Sequence, residues 1–340
     1  MPSTRGARLS AALAAPLTLV LLASCTQPSE QVDAEDLDRL SIATGTTAGA
    51  YFPVGGAIGE IIGNEVEDVD ASTEATAASV ENLRLIDQGE SEIGIVQGDA
   101  AYQALHGEGE DFEDDPLDVQ ALTVLYPNVY QAVSLESIHD DLELDCFSDV
   151  EGHRFSLGAP GSGNELATNL VFDGLDMDVD SDIDAQHLAY AETADALREG
   201  QLDAGSWVIG EGHASLNELE ATDPIHLIEM CADERDEIIA DHPFYDEHTI
   251  EGGTYETVED DVETMALWNV LVVSADFPAE LAEEIVDAMY ANIEDVTAVY
   301  EPGEPYFEAE TMLESPIPLH EGTINYAEAN DMDVPEDLRP

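Results

Sequence analysis

The chain has 340 residues, with 77 Asp and Glu against 8 Lys and Arg and a formal net charge of -69. Every basic residue is an arginine (Arg5, Arg8, Arg39, Arg84, Arg154, Arg198, Arg235 and Arg339), which excludes a nucleic-acid partner, because neutralising phosphates needs a basic face that this sequence cannot build. With 44% hydrophobic residues the chain still has the means for a large core, so the acidity belongs to a charged surface suited to high salt, where a Debye length of ~3 Å at 1 M screens self-repulsion.

In chain order, Met1 to Ser10 carries Arg5 and Arg8 and no acid, and Leu9 to Ser24 is a Leu- and Ala-rich run of 16 residues. This is the layout of a secretory signal, and it is shorter than the ~20 residues of a bilayer span. The run Leu22-Ala23-Ser24-Cys25 resembles the bacterial lipoprotein cleavage box, which implies a signal peptide over residues 1–24, cleavage before Cys25 and a lipid on its thiol. Residues 25–39 are polar and acidic, as a tether to the membrane surface would be.

From Leu40 onward, short β-rich runs alternate with amphipathic segments. Strands are predicted at Leu40–Thr44, Ile93–Gln97, Leu122–Leu125, Phe155–Gly158, Ala204–Val208, His226–Glu229 and Val270–Ser274. Helices are predicted at Pro53–Gly63, Ala77–Gln88, Asn164–Leu175, Ala191–Arg198, Ala279–Asn292 and Tyr306–Met312, with Val80, Leu83 and Ile86 sharing one face of the second. The alternation argues for an α/β fold with a largely parallel sheet, and its length argues for two lobes.

Two glycine-rich turns stand at predicted strand-to-helix junctions. Around Thr44-Gly45-Thr46 and Tyr51, a strand end meets a helix opening near Pro53, a residue favoured at the first helical position; the glycines either make a tight turn or approach a ligand. The second, Gly158-Ala159-Pro160-Gly161-Ser162-Gly163, again aims backbone N–H groups outward, and Ser162 either caps its own helix in a capping box with Glu165 or contacts a ligand. Gln97, Ser79, Asn82 and Tyr126 lie at neighbouring strand ends and helix starts, where open α/β sheets bind ligands. Arg84, flanked by Glu81 and Asp87 at helical spacing, reads as half of a surface ion pair, and Trp207 as either a pocket wall or a core aromatic.

Other patterns point away from chemistry. Alternating Asp176, Asp178, Asp180, Asp182 and Asp184 lack the glycine and glutamate of a calcium loop and read as a solvated surface, as does the run from Glu108 to Asp118. Only His242 and His248 lie close in sequence among the histidines, no HExxH spacing occurs, and neither a metal nor another cofactor is expected. There is no GxSxG elbow and no lysine for a phosphate-binding P-loop, so the chain is not expected to be an enzyme. Cys146 and Cys231, exported, are either bridged or two buried thiols.

The segments TGTTAGAYFPVGGAI, ASVENLRLIDQGESEIGIVQGDAAYQA, LTVLYPNVY, FSLGAPGSGNELA, YAETADALREGQLDAGSWV, HPFYDEHTIEGGTYE and SPIPLHEGTINYAEA, taken in order, resemble the TAXI class of substrate-binding proteins of tripartite ATP-independent periplasmic (TRAP) transporters. The resemblance covers about Leu40 to Ala329. It implies a two-lobed, type II periplasmic-binding-protein-like α/β fold with a hinge and an interlobe cleft, lobe I being 40–134 with 268–340 and lobe II 135–267. Thr44, Gly45, Thr46, Tyr51, Ser79, Asn82, Gln97, Tyr126, Ser162 and Gly163 match the family's cleft motifs, while Phe52 and Asn164 stand where the family has a hydroxylated aromatic and a small hydroxylic residue. The implied function is a receptor held at the outer face of the cell membrane through Cys25, which captures a small carboxylate, glutamate-like or dicarboxylic, with N–H groups of the Gly45 and Gly161 turns. It would deliver this solute to a TRAP permease. A sensing lipoprotein without a permease, or an enzyme on the same scaffold, are the other readings.

Overall fold

The computed structural model describes residues 37–47 and 49–340; the expected signal peptide, Cys25 and most of the expected tether lie outside the described residues. The chain runs β1 (Arg39–Ala43), α1 (Tyr51–Glu65), β2 (Asp70–Glu74), α2 (Ser79–Asp87), β3 (Ile93–Gln97), α3 (Gly98–His106), α4 (Gly109–Phe112), β4 (Val119–Leu135) and α5 (Glu136–Leu142). It continues through β5 (Arg154–Ser156), α6 (Gly163–Gly174), β6 (Asp184–Gln186), α7 (Tyr190–Arg198), β7 (Ala204–Ile209), α8 (Ala214–Glu220), β8 (Ile225–Ile228), α9 (Ala232–Asp241) and β9 (Asp246–Ile250). The last elements are β10 (Val262–Ser274), α10 (Ala279–Ala291), α11 (Ile293–Val299) and α12 (Glu321–Ala329).

One sheet of order β2-β1-β3-β10-β4-β7-β5-β6 carries all of them, with β8 beside β4 and β9 beside β10. The expectation of a largely parallel sheet is corrected to a mixed one. β1, β2 and β3 pair parallel, as do β5, β6 and β7, but the two long central strands pair antiparallel with each other and with both flanks. These central strands divide the sheet into two halves. The end of β10 from Asn269 to Val273 pairs with β3, whereas its beginning, Val262 to Ala266, pairs with β9; Val129 to Ser134 of β4 pairs with β7. The chain thus crosses from one half to the other within two strands that both halves share, the connection a hinged two-lobed α/β fold needs.

At the transition the ladder is irregular. Trp268 opposes Pro127 and Val270 opposes Val124, so Asn269 alone faces both Leu125 and Tyr126. This bulge re-aims the side chains beside it, and Asn269 also pairs with Gln97 on its other edge. The core on either side is apolar and closed, with Ile42, Ile93, Ile95, Leu271 and Val272 fully buried in one half and Val133, Phe155, Ala204 and Val208 in the other. Glycines in α1 let that helix lie close on β1: a Cβ at Gly55 would come within 2.5 Å of Thr44 Cγ2.

Two local expectations change. Tyr306–Met312 is not one helix but parts of two 3-10 segments, Glu301–Tyr306 and Ala309–Glu314, because the backbone leaves helical geometry at Phe307 and is extended at Glu308 (φ -110°, ψ 147°). Cys146 and Cys231 are joined in a disulfide, with Cα atoms 5.4 Å apart, across 85 positions of sequence. The Glu234 carboxylate reinforces this junction by accepting from the N–H groups of Phe147 (3.2 Å), Ser148 (2.8 Å) and Cys231 (2.8 Å). Among the described residues Cys146, Cys231 and Glu234 are also the one trio of metal-ligating side chains brought together, and their sulfurs are already bonded to each other. The acidic stretch around Asp178 makes Asx turns, Asp180 N–H donating to Asp178 Oδ1 at 2.9 Å, and its even-numbered aspartates from Asp176 to Asp180 are exposed. Among the described residues no helix is long and apolar enough to cross a membrane.

Candidate functional site

The bulge gathers the polar side chains of the molecule's centre. Asn269 Nδ2 donates to Tyr126 O at 2.8 Å and Asn128 Oδ1 at 2.9 Å, and its Oδ1 accepts from the Tyr51 hydroxyl at the start of α1. Ser79, at the first position of α2, accepts from Gln97 N at 3.0 Å through its Oγ. Gln97 ends β3, and its Nε2 donates to Val208 O on β7 at 3.2 Å, a bond from one half of the sheet to the other; the Tyr190 hydroxyl donates to the same carbonyl at 3.2 Å. Gly163, the first residue of α6, lies against this junction so closely that a Cβ there would stand 2.2 Å from Gln97 Oε1 and 2.6 Å from Ser79 Oγ. The second predicted turn therefore meets the end of β3 and the start of α2, across the two halves.

Each predicted residue has a definite place. Thr44 is buried and Thr46 exposed; the Thr44 hydroxyl donates to Glu74 O at 2.7 Å, and Gly45 is buried against Ala78 and Tyr51. Asn82 Nδ2 donates to Thr44 O (2.6 Å) and Ile95 O (2.7 Å), and its Oδ1 accepts from Thr76 at 2.6 Å, so both amide hydrogens tie strand ends together. Ser162 caps α6, accepting from Glu165 N at 3.1 Å. Gly161 sits at φ +74°, a backbone conformation glycine adopts without a Cβ penalty, and its N–H donates to Glu165 Oε2 at 2.7 Å. That N–H is thus taken by the helix's own carboxylate, which corrects its expected role toward a solute. Trp207 is fully buried in an apolar cluster of the second half and stacks on Tyr190 at 6.2 Å. Arg84 forms its ion pair with Asp115 at 2.8 Å over the Phe112 ring, and not with Glu81 or Asp87 of its own helix.

Three of these groups are buried with a polar atom that has no protein partner: Gln97 Oε1, the Tyr126 hydroxyl and Trp207 Nε1. Buried polar atoms are nearly always bonded, so the unpartnered Gln97 Oε1 and Tyr126 hydroxyl are groups a bound molecule could satisfy. Burial pushes the Tyr51 and Tyr126 hydroxyls well above the ordinary tyrosine range, with further contributions from neighbouring tyrosines and, for Tyr51, from Asp99. Both remain neutral donors. No described arginine reaches the cluster: Arg154 pairs with Asp203, Arg198 with Asp195, Arg235 with Glu263 and Arg339 with Glu328, while Arg39 is exposed at the start of β1.

A cavity of about 260 Å³ opens beside the cluster, lined by Gly49, Pro53, Gly212, His213, Tyr300 and Pro302. It draws on the first turn, the segment after β7 and the C-terminal region, and its Tyr300 packs on Tyr126 with ring centroids 4.4 Å apart. A larger one, about 600 Å³, lies between α3, α4 and α6 with Asp111, Asp173 and Asp178 in its wall and none of the predicted ligand residues.

Residues 42–328 match the model of the NMT1-like family. The chain belongs to that family. Its fold is that of solved structures of low identity. A protein of Bordetella bronchiseptica is 15% identical with a TM-score of 0.52, covering 86% of this chain and 98% of that one. PhnD1 from Prochlorococcus marinus, solved in complex with methylphosphonate, is 9% identical with a TM-score of 0.50, over 78% of this chain and 89% of its own. The periplasmic aliphatic sulphonate binding protein SsuA from Escherichia coli is 10% identical with a TM-score of 0.45, over 87% and 84%. In this NMT1-like chain the polar cluster also holds Asn128, Asn269 and Tyr190, which the sequence pattern did not single out. The asparagines sit inside strands, where periodicity marks only burial, and their signal is a polar residue within an otherwise apolar run.

Proposed function

We propose that the protein is an extracytoplasmic solute-binding receptor of a transport system, of the TAXI class, which closes its two lobes over a small carboxylate and presents it to a TRAP permease. The observation that carries this reading is the meeting of Gln97, Ser79 and Gly163 across the halves, beside buried polar atoms that lack partners. A fold of this kind in PhnD1, solved in complex with methylphosphonate, supports solute capture in general. The carboxylate would be held without a guanidinium, by the Tyr126 hydroxyl, by Ser79 and by N–H groups of the Gly45 turn and the α6 N-terminus, with Gln97 orienting its polar substituents. We place the hinge at the bulge around Tyr126 and Asn269, a few residues ahead of the 134/135 boundary drawn from the sequence. Lipidation at Cys25 would keep the receptor at the outer face of the membrane.

A thermal-shift screen in molar KCl against amino acids and mono- and dicarboxylates tests this. A ligand present at a hundred times its dissociation constant adds ~2.7 kcal/mol to stability. A shift with one acid that is lost in Gln97→Ala is the expected result. Turnover of a screened compound would instead establish an enzyme.

A further inference from the structure

Asp99, the second residue of α3, is completely buried and has no cationic partner. Its Oδ1 accepts from Ala100 N at 2.7 Å, and its Oδ2 from the Tyr245 hydroxyl at 2.8 Å. Asp99 follows β3, which belongs to the half built on the end of β10, whereas Tyr245 directly precedes β9, which pairs with the beginning of β10. The bond therefore joins the halves, two residues from the Gln97 to Val208 bond that does the same. From α2, α4, α6, β4 and β10, which pack around α3, no charged side chain bonds to Asp99. Its titratable neighbours are Tyr51 on α1 and Tyr245, with Tyr130 and His242 behind Tyr245.

We propose that Asp99 and Tyr245 form the clasp that holds the two halves closed, and that this closure is proton-dependent, strengthening as pH falls. The inference rests on the reading that the halves move against each other over a solute. Burial raises the Asp99 carboxyl to about 7, the bonds from Tyr245 and Ala100 offsetting part of the rise. Opening returns the group to water and to an ordinary value near 4. A group whose value is raised in the closed form favours that form while it is protonated and loses the advantage as pH rises through 7. Between about pH 6 and pH 8 the closed-to-open ratio then falls about tenfold. Burial lowers the His242 value, so His242 is neutral over most of this range.

Small-angle X-ray scattering of the chain without added solute, in molar KCl at both pH values, reads the shape directly. The expected result is a larger radius of gyration at the higher pH, no pH response in Asp99→Asn, which keeps size and hydrogen bonding, and a more open shape at both pH values in Tyr245→Phe. Identical native profiles at both pH values overturn the proposal. So does a native-like pH response in Asp99→Asn, or a pH-dependent melting temperature with an unchanged shape, which would make Asp99 a buried acid without a clasp. Because no solute is added, a failed ligand screen leaves this test intact.

Discussion

Asn164 shows how a single amide can fix a junction. Its Nδ2 donates to Leu157 O and Ser206 Oγ, both at 3.0 Å, and its Oδ1 accepts from Val208 N at 2.7 Å, so one side chain bridges the end of β5 to β7 directly behind the Gln97 contact. Asn164→Ala leaves buried groups unbonded at ~1–3 kcal/mol each, and we expect a stability loss on the order of 3 kcal/mol in urea titrations. Gly163 makes a different demand, on space. Gly163→Ala places a methyl group against Gln97 Oε1, and overpacking of ~1–3 kcal/mol in the closed form alone should weaken capture of the acid found in the screen by about tenfold while the melting temperature of the free chain barely moves. Ligand titration of the variant by calorimetry separates these outcomes. The glycine was legible as a turn residue, but the neighbour that forbids a side chain comes from 66 positions earlier in the chain, at Gln97.

Among the elements, β3 matches its sequence expectation residue for residue, Ile93–Gln97, because a short β-branched run ending in a polar residue fits a strand buried on both faces. β2, with the sequence Asp-Ala-Ser-Thr-Glu, has no such run and was not foreseen; it is an edge strand that exists through pairing with β1. β4 extends well beyond Leu122–Leu125, since Gln131 and Ser134 interrupt the apolar pattern; those residues are buried because they bond across to Ile209 O and Asp203 O. The disulfide acts at this scale too, tying the segment after α5 to the start of α9. Replacing both cysteines by serine should lower stability by ~2–4 kcal/mol, as removal of a cross-link over a long loop does, and melting with and without reductant should show the same loss in the native chain only.

For the whole molecule the deciding quantity is charge. At -69, self-repulsion acts over ~30 Å in 0.01 M salt and ~3 Å at 1 M, so the melting temperature is expected to climb steadily as KCl is raised; a curve independent of salt would remove high-salt adaptation as the meaning of the acidity. The affinity for an anionic solute should also rise with salt, because no arginine of the described residues stands at the cleft to make binding weaken on screening. The sequence by itself determined the acidic surface, the alternation of strands and helices, and the two turns with their glycines and hydroxyls, since all of these are local or compositional properties. Only the tertiary structure decided that the central strands run antiparallel, that Asn269 sits opposite a bulge at Tyr126, that Cys146 meets Cys231, and that Asp99 is buried against Tyr245. Each of these is a contact between distant positions, and periodicity records which residues are buried but carries no information about their partners.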